Sequence, residues 1–470
     1  MTNVEQHYRI IPYVKTPAID LGGGTLVSEK CLAMRDYHMS CLRENSVRTF
    51  CIDGIPEEDP NKILMLWAFL SEGGCLISAN PIPTESFKEL RKASFMRKSC
   101  YQILETEPFT VLRKVHGNGG EVPYTKPKPK PGQKTVCLVR YGALGDHVMM
   151  SVIIDHFHKE GWYVVYNTNQ RGRNVYRGDP RIDEYIDHED DIIPPNMEKL
   201  NAYWGKWEKH FDRFINFGGI AEMDLLRVEG IQPEYLDPWV KRHDECNKNY
   251  YDHHFERAGL PEIKGRRPVM WLSEQERQWA RKEVDDVRKK LGKNFIVIWN
   301  MLGSAFHKMY PWTYDVWYTC LHNRDDIGFI TVSDHVGAYM EEKMFGNVYP
   351  RSGKYQIRHT IALHSSVDGV VSPETNSLNT GLAFPAPIIA LLSHSSKDQF
   401  PWREYDIPLS PPVKDCKCYP CHQLHYSRLG CHSGVINKAA TLCMDQINPT
   451  EVYHALLRIR YGDNALAASR

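Results

Sequence analysis

Residues 136–151, VCLVRYGALGDHVMMS, set an acid, Asp146, at the end of a glycine turn between two apolar stretches. Gly142 and Gly145 allow a tight turn and close approach of backbone to a ligand, and a helix starting near Asp146 or His147 would turn free amides toward an anion. An acid at that spot has two uses: it can cap the helix, or it can act as a general base. A second chemical cluster spans 416–443, CKCYPCHQLHYSRLGCHSGVINKAATLC. Cys418 and Cys421 form a C-x-x-C pair and Cys431 and Cys443 follow, a spacing that suits tetrahedral thiolate coordination of zinc or iron. His422, His425 and His432 are possible substitutes, Cys416 is a spare, and the competing reading is reduced thiols packed as small hydrophobes. Four sulfurs leave no open position, so such a metal would be structural and no catalytic metal is expected. A third candidate is 171–181, RGRNVYRGDPR, where Arg171 and Arg173 can grip phosphate on a glycan core or a nucleic-acid backbone, or simply belong to a solvated loop. The adjacent His253 and His254 would leave a helix in different directions, which makes them poor co-ligands and predicts surface or interface residues.

The elements around these residues alternate. VCLVRY (136–141) predicts a strand, HVMMSVIIDHFHKEG (147–161) a helix ending at Gly161, and WYVVYNT (162–168) and RFINFGG (213–219) further strands. SEQERQWARKEVDDVRKKL (273–291) has a Ser N-cap with Glu three residues on, a capping box opening a helix. FIVIWN (295–300) begins a second series, continued by GFITVS (328–333), GVVSPE (369–374) and APIIALLS (386–393). Strands separated by helices imply parallel, doubly wound sheets, so the fold class is α/β with two Rossmann-like domains facing a cleft. In such sheets ligands bind beyond the carboxyl ends of the strands, where Asp146 falls. YTKPKPKPGQK (124–134) alternates Lys and Pro and reads as an extended linker. The expected division is an N-terminal α/β module over 1–123, that linker, a first Rossmann-like domain over 135–291, a second over 292–446 with the cysteine finger 416–443, and a terminal helix in 447–470.

At 470 residues the chain exceeds one ordinary core. Hydrophobic content of 42% and charged content of 25% are those of a globular protein. Lys+Arg and Asp+Glu both total 58, which argues against a protein whose main task is coating nucleic acid while leaving room for a local basic groove. The start, MTNVEQHYRIIPY, has no signal-peptide pattern, and no run reaches the ~18 apolar residues of a membrane span, so a cytoplasmic protein is expected.

The glycine turn resembles the first motif of the heptosyltransferases, glycosyltransferase family nine. Two further stretches stand in that family's order: NMLGSAFHKMYPWTYDVW (300–317) and VVSPETNSLNTGLAFPAPIIALLS (370–393). The resemblance implies the GT-B architecture, with a nucleotide-sugar donor in the cleft. Asp146 would deprotonate the acceptor hydroxyl as it attacks the anomeric carbon with inversion. Lys308 would neutralise the departing diphosphate, as a metal-independent transfer requires. Gly145, Gly303, Ser304, Glu374, Thr375, Asn376, Ser377 and Asn379 would complete the donor site. Tyr310 stands where the family has tryptophan, Glu374 where it has aspartate, Asn376 where it has glycine and Asn379 where it has histidine. The implied activity is hexosyl, heptosyl or pentosyl transfer to a hydroxyl, a surface glycan being the family acceptor. The alternatives are hydroxymethylated bases in viral DNA, or a non-catalytic nucleotide-binding scaffold.

Related autotransporter heptosyltransferases bind iron through four cysteines in a comparable finger, which implies Cys418, Cys421, Cys431 and Cys443 as ligands. INPTEVYHALLRIRYG (447–462) is similar to the family's final helix, which often crosses back to the first domain. Separately, AIDLGGG (18–24) and ILMLWAFLSEGGCLISANP (63–81), read as helix, turn and strand, resemble the first motifs of class I methyltransferases. The interval is too short for that family's full sheet. A truncated relative or an unrelated α/β module is therefore expected, without bound S-adenosylmethionine.

Overall fold

A computed structural model describes residues 18–20, 31–33, 47–52, 54–55, 59–97, 99–105, 110–116, 127–187, 197–218, 246–261, 265–334, 345–422, 435–436 and 440–463, with single positions at 240, 243 and 337. The chain forms two compact units, Met1–Lys126 with Glu189–Ile193, and Pro127–His188 with Pro194–Arg470.

The first unit holds β1 (Ala18–Asp20), β2 (Cys31–Ala33), β3 (Val47–Ile52), α1 (Lys62–Phe69), β4 (Leu70–Ser78), α2 (Thr84–Arg97), β5 (Ser99–Glu105) and β6 (Thr110–His116). Its sheet runs β2-β1-β3-β4-β6-β5, with β6 antiparallel to both neighbours and the other pairs parallel. Phe50, Leu66, Trp67, Leu76 and Leu112 pack its core. The Ser-Glu-Gly-Gly segment expected as a turn lies inside β4, where the register against β3 slips: Val47 faces Leu70, but Thr49 faces Cys75. Gly74 makes that bulge possible, since a Cβ there would meet the Ser71 carbonyl at 2.8 Å and the Arg48 carbonyl at 2.9 Å. The glycines of the 18–24 motif lie outside the described residues.

The second unit contains both doubly wound sheets. The first is built from β7 (Thr135–Arg140), α3 (Leu144–Met149), α4 (Ser151–Lys159), β8 (Tyr163–Thr168), α5 (Gln170–Val175), β9 (Glu184–Asp187), α6 (Met197–Glu208) and β10 (Arg213–Asn216). Its four strands run β10-β7-β8-β9, all parallel. The single helix expected over 147–161 is two, α3 and α4, meeting at Met150. After α7 (Tyr250–Arg257), the helix α8 (Glu274–Leu291) opens with the expected capping box: the Glu276 amide donates to Ser273 Oγ and the Ser273 amide to Glu276. Gly292 closes it in the left-handed region at φ 63°.

The second sheet uses β11 (Phe295–Asn300), α9 (Thr313–His322), β12 (Ile327–Val332), β13 (Val348–Tyr349), α10 (Ile357–Leu363), β14 (Gly369–Pro373), α11 (Asn376–Gly381), β15 (Ile388–Leu391) and β16 (Ile407–Leu409). All six strands are parallel in the order β13-β12-β11-β14-β15-β16. Counted from β11, that is the dinucleotide-fold order 3-2-1-4-5-6, whose direction of winding reverses between β11 and β14. Strands buried on both faces explain the unbroken apolar runs of β11, β12 and β15. A short pair, β17 (Val435–Ile436) and β18 (Ala440–Thr441), precedes α12 (Leu442–Asp445) and α13 (Pro449–Tyr461).

Helix α8 joins the two sheets' cores. Ala280 packs with Val136 and Phe157 of the first, Val284 and Val287 with Ile296 and Ile298 of the second. The terminal helix does not cross to the first sheet. Val452 and Leu456 of α13 pack with Phe295, Trp317 and Val371, so it closes one face of the second sheet. His254 is also placed differently from expectation. It is fully buried, stacked on Phe217 with ring centroids 5.6 Å apart. Among the described residues no helix is long and apolar enough to cross a membrane.

Candidate active site

Both sheets present their reversal points to one cavity of about 490 Å³. In the first sheet, winding reverses between β7 and β10, and the turn after β7 carries Asp146. Arg140, the last residue of β7, is fully buried; its Nη1 donates to the Phe217 carbonyl beyond β10 at 2.7 Å, and its Nη2 pairs with Asp146 Oδ1. The Ala143 amide donates to Asp146 Oδ2 at 2.7 Å. Asp146 therefore does tie down the first turn of α3, and it lines the cavity as well. The two uses open to it from sequence are compatible, because a carboxylate oxygen accepts more than one hydrogen bond.

Around that turn the packing is tight. His147 is buried with Nδ1 2.7 Å from the Tyr166 hydroxyl and Nε2 3.1 Å from Asn169 Oδ1. Asn169 in turn accepts from the amides of Arg171 and Gly172 and so starts α5. Arg171 lines the cavity and donates to the Gly142 carbonyl at 3.3 Å. Arg173, expected beside it on the acceptor, is not among the cavity's lining residues; its guanidinium lies 5.3 Å over the Tyr185 ring.

From the second sheet, the segment after β11 supplies Gly303, Ser304 and Lys308, and the turn after β14 supplies Glu374 and Thr375, followed by Asn376, Ser377 and Asn379 of α11. Gly303 is required by its neighbour: a Cβ there would come within 2.6 Å of Lys308 Cβ. Lys308 is only 7% exposed, and among the described residues its ammonium has no hydrogen-bond or ion-pair partner. A buried ammonium with no direct partner beside a cavity suits an anionic ligand, although the Glu374 carboxylate lies within its electrostatic range.

Glu374 is arranged otherwise. Its Oε1 accepts from the amides of Ser393 (2.5 Å), His394 (3.1 Å) and Ser395 (3.3 Å) and from Ser395 Oγ (2.8 Å), while Oε2 accepts from Ser393 Oγ at 2.9 Å. Burial alone would raise its pKa, but the positive charge that His394, His307 and Lys308 can bring, with a bond from His394, holds it well below the usual carboxylate range. The carboxylate thus pins the 393–395 loop. Asn379 accepts from the Tyr251 hydroxyl at 2.9 Å and donates to the Thr375 carbonyl at 3.3 Å, and a Cβ on Gly145 would stand 3.3 Å from its Nδ2.

Two histidines were not singled out from sequence. His394 lines the cavity, and its Nδ1 lies 3.1 Å from Nε2 of buried His307 and 3.4 Å from Glu374 Oε1. The available signal was adjacency: His307 directly precedes Lys308, and His394 directly follows the third motif.

In the finger, Cys416 and Cys418 have their sulfurs 3.8 Å apart, and the Cys416 thiol is pushed up first by its bond to Cys418 and then by burial, with Cys443 and Cys421 also in electrostatic range. Cys431, His425 and His432 lie outside the described residues. Among the described residues no three His, Cys, Asp or Glu side chains are grouped as a metal site.

No protein-family model matches this sequence, and neither does any curated protein. Among solved structures the chain is similar to a family 9 glycosyl transferase from Veillonella parvula DSM 2008, at 14% identity and TM-score 0.48 over 69% of this chain and 97% of that one. It is also similar to the E. coli ADP-heptose lps heptosyltransferase II, at 14% identity and TM-score 0.43 over 72% of this chain and 100% of that one. A third is the dodecameric iron-containing heptosyltransferase TibC in complex with ADP-D-beta-D-heptose, at 10% identity and TM-score 0.44 over 75% and 82%.

Proposed function

We propose that this chain is a GT-B glycosyltransferase that moves a sugar from a nucleotide-sugar donor to a hydroxyl acceptor with inversion. The observation that carries this reading is the convergence of Asp146 from one sheet and Lys308 from the other on a single cavity. The donor's diphosphate lies at the Lys308 end, where the buried ammonium offsets the charge that grows as the anomeric C–O bond breaks. The acceptor hydroxyl loses its proton to Asp146 while its oxygen attacks the anomeric carbon from the opposite face. Arg140 and the Ala143 amide fix the carboxylate's orientation and leave lone pairs for that hydroxyl. Because the Glu374 oxygens are committed to the 393–395 loop, its part in donor binding is to shape the wall rather than to hold sugar hydroxyls.

A saccharide is the favoured acceptor over a DNA base. Of the four arginines in 171–181 only Arg171 lines the cavity; Arg173 lies on Tyr185 and Arg181 pairs with Asp179 and Asp155. A phosphate-backbone track would need more of them unpaired.

We further propose a structural metal in the cysteine finger. Two thiolates on a tetrahedral zinc with bonds near 2.3 Å stand about 3.8 Å apart, the separation found between Cys416 and Cys418. Cys421, Cys443 and Cys431 are the candidates for the remaining positions, with Cys416 promoted from spare to ligand. A metal held by four sulfurs would brace the finger and take no part in transfer.

A thermal-shift screen against UDP-, ADP-, GDP- and CMP-sugars tests the main reading, since a ligand at 100 times its Kd stabilises by about 2.7 kcal/mol. A response from one donor, followed by release of its nucleotide with an acceptor, supports it. Silence across all four removes it.

A further inference from the structure

We propose that Asn169 is a positioning residue for Asp146, acting through the peptide group that joins Gly142 to Ala143. This rests on the sugar-transfer reading above. The Gly142 carbonyl and the Ala143 amide are the two ends of one peptide plane, which turns only as a unit. Its amide end donates to Asp146 Oδ2 at 2.7 Å. Its carbonyl end accepts from Asn169 Nδ2 and from Arg171 Nη1, each at 3.3 Å. Gly142 sits at φ 116°, in a region where glycine moves freely, so the turn's own backbone does not fix that plane. The two side chains beyond β8 do.

Of these two donors, Asn169 is the one that stays. Arg171 is exposed and lines the cavity, so an anionic group on a ligand competes for its guanidinium. Asn169 is not among the cavity's lining residues, and any effect it has on transfer runs through its neighbours. Its Oδ1 accepts from the amides of Arg171 (3.1 Å) and Gly172 (3.2 Å) and lies 3.1 Å from His147 Nε2. With Oδ1 turned to those three groups, Nδ2 has to face Gly142, which fixes the amide's orientation. His147 then carries its proton on Nε2, leaving Nδ1 to accept from the Tyr166 hydroxyl at 2.7 Å. Gly172 lets α5 come this close: a Cβ there would fall 2.0 Å from Thr168 Oγ1 and 2.8 Å from His147 Nδ1. The start of α5, the peptide plane and the carboxylate are thus joined in series.

Asn169→Ser and Asn169→Asp test this in the full chain. Both side chains can still cap α5, and neither the serine nor the ionised aspartate supplies the lost amide donor. Hydrogen exchange at the Ala143 amide, read by mass spectrometry with single-residue fragmentation, should quicken by about tenfold or more, with α4 exchanging as in the parent. Turnover is read as nucleotide release from UDP-, ADP- and GDP-glucose without an acceptor. There the oxygen of water attacks the anomeric carbon, its proton passes to Asp146, and the anomeric C–O bond breaks with its electrons leaving on the diphosphate. In both variants kcat should fall toward about 100-fold, the cost of a catalytic group displaced by an ångström, while donor Kd stays near the parent's. An unchanged Ala143 exchange rate in both variants overturns the tie, and unchanged kcat beside faster exchange overturns the positioning role. A fall in kcat matched by an equal loss of donor affinity overturns it too, because that marks a general loosening of the cavity. Each of these results leaves the transfer reading standing. No nucleotide release by the parent from any of the three removes that reading, and the positioning role with it.

Discussion

The Tyr251 hydroxyl donates to Asn379 Oδ1 at 2.9 Å, tying α7, which packs with the first sheet, to the helix that follows β14 in the second. Asn379 stands where the resembled family has histidine, and it also backs the Gly145 turn. The bond is buried, so Tyr251→Phe leaves an acceptor without its donor and should lower unfolding stability by about 1–3 kcal/mol. Urea denaturation measures this. A variant as stable as the parent would show that the hydroxyl is not what holds the two elements together.

Gly303 and Lys308 give a sharper test of the donor site. A methyl group on Gly303 would fall 2.6 Å from Lys308 Cβ and 2.7 Å from its Cδ. The Cβ position cannot swing aside, so Gly303→Ala must shift the lysine, a local strain of about 1–3 kcal/mol. Donor affinity should fall with it. If the variant binds nucleotide-sugar as tightly as the parent, Lys308 does not touch the ligand.

The sequence disclosed the strands of the second sheet well, and there is a reason. β11, β12 and β15 are buried on both faces, so their apolar runs are unbroken and bounded by polar turns. The capping box of α8 was equally legible, being a purely local signal. What escaped notice depends on distant partners. His254 reads as an ordinary polar helix residue, yet Phe217 covers it and the Tyr250 carbonyl takes its Nδ1. The packing partner of α13 is likewise not legible, because an amphipathic stripe states that a face is buried, not against what. In the cavity, Asp146 and Lys308 stood out because each follows a glycine turn at a strand end. Arg140 reads as a strand residue, and the His307–His394 contact joins positions 87 apart.

Asp146→Asn separates structure from chemistry. The amide oxygen can still accept from Ala143, but the charge opposite Arg140 is gone, and a broken buried pair costs about 3–5 kcal/mol. The variant should melt lower and still bind donor below that temperature. Transfer should drop by about 10²–10⁴-fold, the usual contribution of a positioned base. Full turnover in a folded Asp146→Asn protein eliminates this carboxylate as the base.

Two buried imidazoles predict the acid limb of stability. Burial, then Arg140, lowers the His254 pKa to about 3, and burial lowers that of His364 to about 4. His364 is fixed between the Thr360 carbonyl and Ser377 Oγ, both at 2.7 Å. Each is neutral when folded and titrates near 6.5 when unfolded, so the unfolded chain binds more protons between those values. Their contribution is complete above pH 6.5. It declines by about 1.4 kcal/mol per pH unit for each histidine as pH falls toward 4. His364→Gln, which removes one titrating group, should flatten the slope of stability against pH by that amount. An unchanged slope would mean that His364 does not fold neutral.

The cysteine finger offers five sulfurs for four positions, and structure and sequence rank them differently. Spacing alone selects Cys418, Cys421, Cys431 and Cys443, whereas the 3.8 Å contact puts Cys416 beside Cys418. If a metal is held here, Cys416→Ser should reduce metal content in anaerobically purified protein as strongly as Cys418→Ser does. The effect of Cys431→Ser then decides whether four or five thiolates serve. Chelation should lower the melting temperature, since binding energy at a structural site is folding energy. Cys443 already contacts Thr441 Oγ1 at 3.0 Å next to α12, and α12 packs under the turn that carries Lys308 through the bond from Trp312 Nε1 to the Asp445 carbonyl at 2.9 Å. Loss of the metal should therefore weaken donor binding as well as stability. Metal-free parent protein with full donor affinity would show the finger to be packed thiols and nothing more.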